Sequence, residues 1–218
     1  MEAEPGGSGG GSMPVQVTVS GVLSDAVGVV TSRPELLGVV LVGGIVGVVP
    51  VPIVGFLASF VANGVAVAMA WTELSPNRSL PDILDIRLLF LVAAAVVFVI
   101  GVGIGMVLLI VPGLYLASRL FLYPAPVMID EMGPIDGLAE SWDRTSGHTL
   151  TVFGILLILG LLSLVVGLVA LFGLGGPDVF RNPQSLPIAV RLASSILGAP
   201  IGAVSAAAVA VLYERLGA

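Results

Sequence analysis

The sequence predicts an all-α fold: a polytopic transmembrane helical bundle of about six spans with an interfacial amphipathic connector helix. Two observations carry that reading. The chain is 57% hydrophobic and only 10% charged, against roughly 25% charged residues in a soluble domain. Four stretches, Leu36 to Trp71, Leu88 to Ser118, Thr149 to Pro177 and Leu192 to Tyr213, hold no Asp, Glu, Lys, Arg or His. A helix rises ~1.5 Å per residue, so ~20 apolar residues cross a hydrocarbon core ~30 Å thick. Each stretch is long enough to span, and the first could span twice.

Residues 1–14 open with a Gly/Ser run and read as a flexible tail or an appended linker. Residues 15–218 form a single transmembrane helical domain. Val15 to Ser32 reads as a short amphipathic lead-in, with Val22, Val27 and Val30 as its apolar positions. Arg33-Pro34-Glu35 marks a helix start, where proline is tolerated. Spans are then expected at about 36–49 and 53–70, broken by Pro50-Val51-Pro52. The second ends at Trp71, an interfacial anchor.

A polar segment follows, in which Ser79-Leu80-Pro81-Asp82 resembles a helix N-terminus leading a short helix with Ile83 and Ile86 on one side. The third span, 88–111, closes at Pro112-Gly113. Residues 113–129 are apolar except for Arg119 and either cross, giving six spans, or lie on the surface, giving five. The last two spans are expected at about 150–172 and 186–212. With six spans and the N-terminus inside, Arg33, Arg78, Arg87, Arg144 and Arg215 are all cytoplasmic; with five the bias nearly vanishes. The excess of basic residues in cytoplasmic loops therefore favours six, with both termini cytoplasmic.

Between the fourth and fifth spans, Gly133 to His148 reads as an amphipathic helix. Pro134 sits at its start and Gly147 at its end, Ile135, Leu138 and Trp142 share one face, and Glu140 and Arg144 are i,i+4 partners. Trp142 would anchor it at the bilayer interface. Small residues at helical spacing, Gly43 with Gly47, Gly101 with Gly105, and Gly198 with Gly202 and Ala206, favour close helix packing within the bundle over a dimer face. Asn63 is expected to bond a neighbouring helix. Arg119, the one cation expected at membrane depth, needs a partner. The readings are snorkelling to the interface or a structural pair with Glu131 or Asp130, or contact with an anionic headgroup or substrate.

All eight basic residues are Arg, and fourteen acids give a net charge of −6. An acidic, lysine-free surface suggests a halophilic archaeon and argues against nucleic-acid binding. The chain has no cysteine, and His148 is its one histidine, too little for a metal site. Neither G-x-S-x-G, H-E-x-x-H nor a Walker A pattern occurs. No catalytic, cofactor-binding or metal residue is assigned.

The run Val111-Pro112-Gly113-Leu114-Tyr115-Leu116-Ala117-Ser118-Arg119, then Glu131, Gly133-Pro134, Leu138, Ser141-Trp142 and Gly147, carries a further signal. It resembles the membrane domain of glycerophosphoryl diester phosphodiesterases and its stand-alone haloarchaeal and bacterial relatives. Tyr213-Glu214-Arg215-Leu216 is similar to that family's closing motif, whereas Asp143-Arg144 departs from it, since an apolar residue usually precedes the Thr. The resemblance implies a six-helix membrane fold with both termini inside. It does not imply phosphodiesterase activity, which in those enzymes belongs to a separate soluble barrel. The expected protein is therefore a cell-membrane scaffold, regulator or lipid-associated module without enzymatic activity. Its expected partners are membrane lipids, other membrane proteins or a second copy. The alternative is a small permease or export subunit with Arg119 lining the pathway.

Overall fold

The computed structural model describes residues 17–46, 48, 52–75, 87–174 and 187–217. Among them all regular structure is helical: α1 Val19–Ser32, α2 Glu35–Val46, α3 Pro52–Leu74, α4 Arg87–Leu108, α5 Ile110–Arg119, α6 Pro124–Ile129, α7 Pro134–Arg144, α8 Thr149–Leu174 and α9 Ile188–Gly217. Four segments are long and apolar enough to cross a membrane: Leu57–Leu74 within α3, all of α4, Thr149–Gly173 within α8, and all of α9. The α1–α2 pair, bent by 91° at its junction, passes the same test together and brings the number to five. The tail at residues 1–14, Gly47, the Pro50-Val51 break and the short helix expected after Ser79 lie outside the described residues.

Helix α1 starts at Val19, where the Thr18 side chain caps the Gly21 N–H. It buries Val22, Ala26, Val29 and Val30, the i, i+4, i+7, i+8 stripe of a 3.6-residue period. Val27, expected on that face, is instead 48% exposed; five residues beyond Val22 is well off the stripe. The α1 helix packs on α8 and α9, and the Thr151 hydroxyl donates to the Val17 carbonyl.

The core is built around α9. Its buried run from Ala206 to Tyr213 joins Val22 and Ala26 of α1, Ala66, Val67 and Ala70 of α3, and Val152 and Ile155 of α8. A second cluster joins Ala68, Leu91, Ala94, Ala95, Tyr123, Val127, Met128 and Leu138, tying α4, α6 and α7 to α3. Small residues set several approaches. A Cβ on Gly43 would collide with Ala62 of α3, and one on Gly202 would stand 2.7 Å from Val40 of α2. Gly105 meets Gly113 backbone to backbone in the α4–α5 hairpin, where an added Cβ would stand 2.9 Å from the Gly113 Cα. Gly101 and Gly198, expected to pack as well, have nothing within 4 Å of that position. Gly44 against Ser195, Gly64 against Leu91 and Gly137 against Val127 are close approaches that the spacing rule passes over.

Two expected boundaries move. The α4–α5 turn falls at Leu109, which is extended at φ −161°, not at Pro112-Gly113. Proline fits the first turn of a helix because its missing N–H needs no partner there, so Pro112 opens α5 rather than closing α4. The expected fourth span over 113–129 is broken into α5 and α6 at residues 120–123.

Candidate functional site

The break between α5 and α6 leaves main-chain groups without helical partners, because the last carbonyls of a helix lack donors from a following turn. In hydrocarbon such groups must be satisfied by protein. Helix α7 supplies what is needed. Gly133 is its N-cap and Pro134 follows in its first turn. Gly147, at φ +83°, turns the chain towards α8 in a left-handed conformation that suits glycine. Gly137 lets α7 sit against Val127, and this seats the next turn of α7 directly under the break.

There the fully buried Ser141 hydroxyl accepts from the Leu122 N–H (3.1 Å) and donates to the Arg119 carbonyl (3.0 Å). The fully buried Thr145 hydroxyl lies 3.0 Å from the same Arg119 carbonyl and 2.8 Å from the Ser141 carbonyl one turn back. Between these two hydroxyls, Trp142 receives the Arg119 side chain: the guanidinium carbon lies 4.4 Å from the Trp142 ring centroid and 5.9 Å from that of Tyr115. Tyr115 meets Trp142 edge to face at 5.8 Å. The sequence Ser141-Trp142-Asp143-Arg144-Thr145 thus holds one residue, Arg119, by both its main chain and its side chain.

The charges around this clamp are shared out differently from the sequence expectation. Glu131 pairs with Arg87 at the start of α4, not with Arg119. Asp130 accepts from the Tyr213 hydroxyl and lies 3.9 Å from Arg144. Arg144 also pairs with Glu140, as the i,i+4 spacing predicts, at 2.5 Å. It covers the Tyr213 ring at 3.8 Å and donates to the Tyr213 carbonyl at 3.2 Å. Residues 130 and 131 follow α6, and their partners stand on α4, α7 and α9. Arg33 with Glu73 (2.6 Å) and Arg215 with Asp25 complete the described ion pairs. These pairs join the starts of α2 and α4 and the ends of α3 and α9, so they gather at one end of the bundle.

Among the described residues, cavities open between the helices, and two of them adjoin each other. One of about 340 Å³ is lined by Phe60, Asn63, Phe98, Tyr123, Leu156 and Val209, among others. Phe98 and Tyr123 stack along it with centroids 5.3 Å apart. A second, of about 240 Å³, lies between α2, α3 and α9 beside Ser194 and Ser195. Ser59 and Asn63 line both. Arg119 is held against Trp142. Trp71, the other expected anchor, is half-buried against the main core. His148 keeps its main-chain bond to the Thr145 carbonyl, and its buried Nδ1 has no hydrogen-bond partner. No group of His, Asp or Glu among the described residues could hold a metal ion.

Residues 34–216 match the family described as Domain of unknown function (DUF7847). The chain belongs to that family. The match takes in α2 to α9, and with them the whole Arg119 clamp and both cavities, while α1 lies before it. No curated protein and no solved structure matches the chain.

Proposed function

We propose that this DUF7847 protein is a six-crossing integral membrane protein without enzymatic activity, working as a membrane scaffold, regulator or lipid-associated module. In this reading α2, α3, α4, the broken α5–α6 segment, α8 and α9 each cross. The α1 and α7 helices lie along the cytoplasmic face, and both termini are cytoplasmic. The observation that carries it is the gathering of the described ion pairs at one end of the bundle. Alternating crossings bring the Arg-bearing ends together there, as the preference of basic residues for the cytoplasmic side requires. The long lipid-facing surfaces of α4 and α8 support it too: Leu89, Ile100, Val107 and Leu108, and Leu150, Leu164 and Val169, are all exposed apolar residues. The lysine-free acidic composition supports a halophilic archaeal source. Membrane lipids are the first partners this surface would meet, and the resemblance to phosphodiesterase membrane domains suits a module that serves a neighbouring protein.

A small permease is the second reading, favoured by one observation: the two cavities share Ser59 and Asn63. Osmotic swelling of proteoliposomes in small neutral solutes separates the two. The scaffold reading predicts swelling no faster than in protein-free vesicles. Faster swelling that Asn63→Leu abolishes would establish the permease.

A further inference from the structure

We propose that Arg119 is the seat of a phosphate-ester anion, grasped in the plane of its guanidinium while Trp142 covers its face. The inference rests on the membrane placement proposed above and adds a ligand to the clamp. Arg119 is 93% buried, with 7% of its surface exposed. Its Nε is enclosed without a hydrogen-bond partner, and among the described residues no carboxylate pairs with its guanidinium. The Trp142 ring, 4.4 Å from the guanidinium carbon, and the Tyr115 ring, at 5.9 Å, attract the positive charge. That attraction gives the N–H donors, which radiate in the guanidinium plane, no hydrogen-bond acceptor. The end of α5 supplies negative helix-dipole character beside the charge, but the Arg119 carbonyl there is already engaged by Ser141 and Thr145.

What is missing is an acceptor that lies in the plane, carries negative charge and takes two parallel N–H bonds. A phosphate oxyanion fits that description, since arginine binds phosphate through paired donors. The neighbouring acids do not compete for the role. Asp130 is committed to Tyr213 and Arg144, Glu131 to Arg87, and Glu140 to Arg144. The phosphate could belong to a lipid headgroup at the interface, where a Trp is at home, or to a free phosphate compound.

The chain has two tryptophans, so Trp71→Phe leaves Trp142 as the single reporter beside the site. This full-length protein, in neutral detergent, is titrated with dihexanoyl phosphatidylglycerol, with dihexanoylglycerol, which lacks the phosphate, and with sodium phosphate at constant ionic strength. We expect a saturable change in Trp142 emission with phosphatidylglycerol and none with dihexanoylglycerol. Saturation by sodium phosphate only at much higher concentration assigns the seat to a headgroup; saturation at equal or lower concentration assigns it to a free phosphate compound. Arg119→Gln should raise the half-saturating concentration about tenfold or more, and Arg119→Lys, which keeps the charge but loses the fork, by less. The proposal is overturned if neither phosphate source changes the emission, if dihexanoylglycerol acts equally, or if Arg119→Gln responds as the parent does. Should Arg119→Gln fail to fold, the comparison of the two lipids on the parent protein decides alone. Neither topology nor solute flux enters this readout, so its failure leaves the proposed function standing.

Discussion

The Ser141 hydroxyl donates to the carbonyl of Arg119, 22 positions earlier, while accepting from the Leu122 N–H within the break that follows. A single side chain thus replaces two main-chain bonds that a continuous helix would have made for itself. Thr145 stands by with a second hydroxyl for the same carbonyl.

That redundancy predicts non-additive energetics. With either hydroxyl present the Arg119 carbonyl keeps a donor, so Thr145→Val alone should cost about 1 kcal/mol. Ser141→Ala, which also strips the buried Leu122 N–H, should cost more, about 1–3 kcal/mol. The double variant leaves the carbonyl bare and should lose more than the two single effects combined. Reversible unfolding in mixed micelles measures the cycle; strict additivity would mean that the two hydroxyls do not share the carbonyl.

The charge pairing is tested in the same way. Glu131→Gln and Arg87→Gln should be coupled, because those side chains form an ion pair. Glu131→Gln with Arg119→Gln should be additive. The coupling should be small, below about 1 kcal/mol, since 64% of the Glu131 side chain is exposed and solvent screens it. Coupling between Arg119 and Glu131 instead would restore the pairing that the sequence suggested.

Glycines of the same spacing pattern should behave oppositely. Gly43→Ala meets Ala62 with no room to spare and should destabilise the bundle by about 1–3 kcal/mol. Gly101→Ala enters open space within a helix, where alanine is better than glycine by about 0.5–1 kcal/mol. It should therefore leave thermal stability unchanged or raise it. A loss of stability at Gly101 equal to that at Gly43 would count against the packing described here.

How far the sequence could be read follows from the range of the forces involved. Lipid-compatible length is a local property, so the charge-free stretches marked α3, α4, α8 and α9 to within a few residues. Arg33-Pro34 marked the start of α2 for the same reason. The amphipathic α7, with Pro134 at its start and Gly147 after it, was equally legible. The break at residues 120–123 was not, because it is sustained by Ser141 and Thr145, more than one helix away in the chain. Arg119 illustrates the limit best. Its need for a partner could be read from its apolar surroundings, but the partner was sought among acids and found in Trp142. An aromatic ring next to a buried serine gave no signal of charge. The small-xxx-small rule found Gly43, Gly105 and Gly202 but also Gly101 and Gly198, since spacing alone does not say which face meets a neighbour.

The proposed six crossings would put both termini and the ion-paired end on the cytoplasmic side. The chain has no native cysteine, so single cysteines can be introduced directly for labelling in intact cells with an impermeant maleimide. Asn77→Cys, which in sequence falls between the second and third proposed crossings, should stay unlabelled until the cells are opened. Asn182→Cys, between the fifth and sixth, should label from outside, and a tag at Ala218 should remain inaccessible. Labelling at Asn77 with none at Asn182, or an external C-terminus, would rule out this topology.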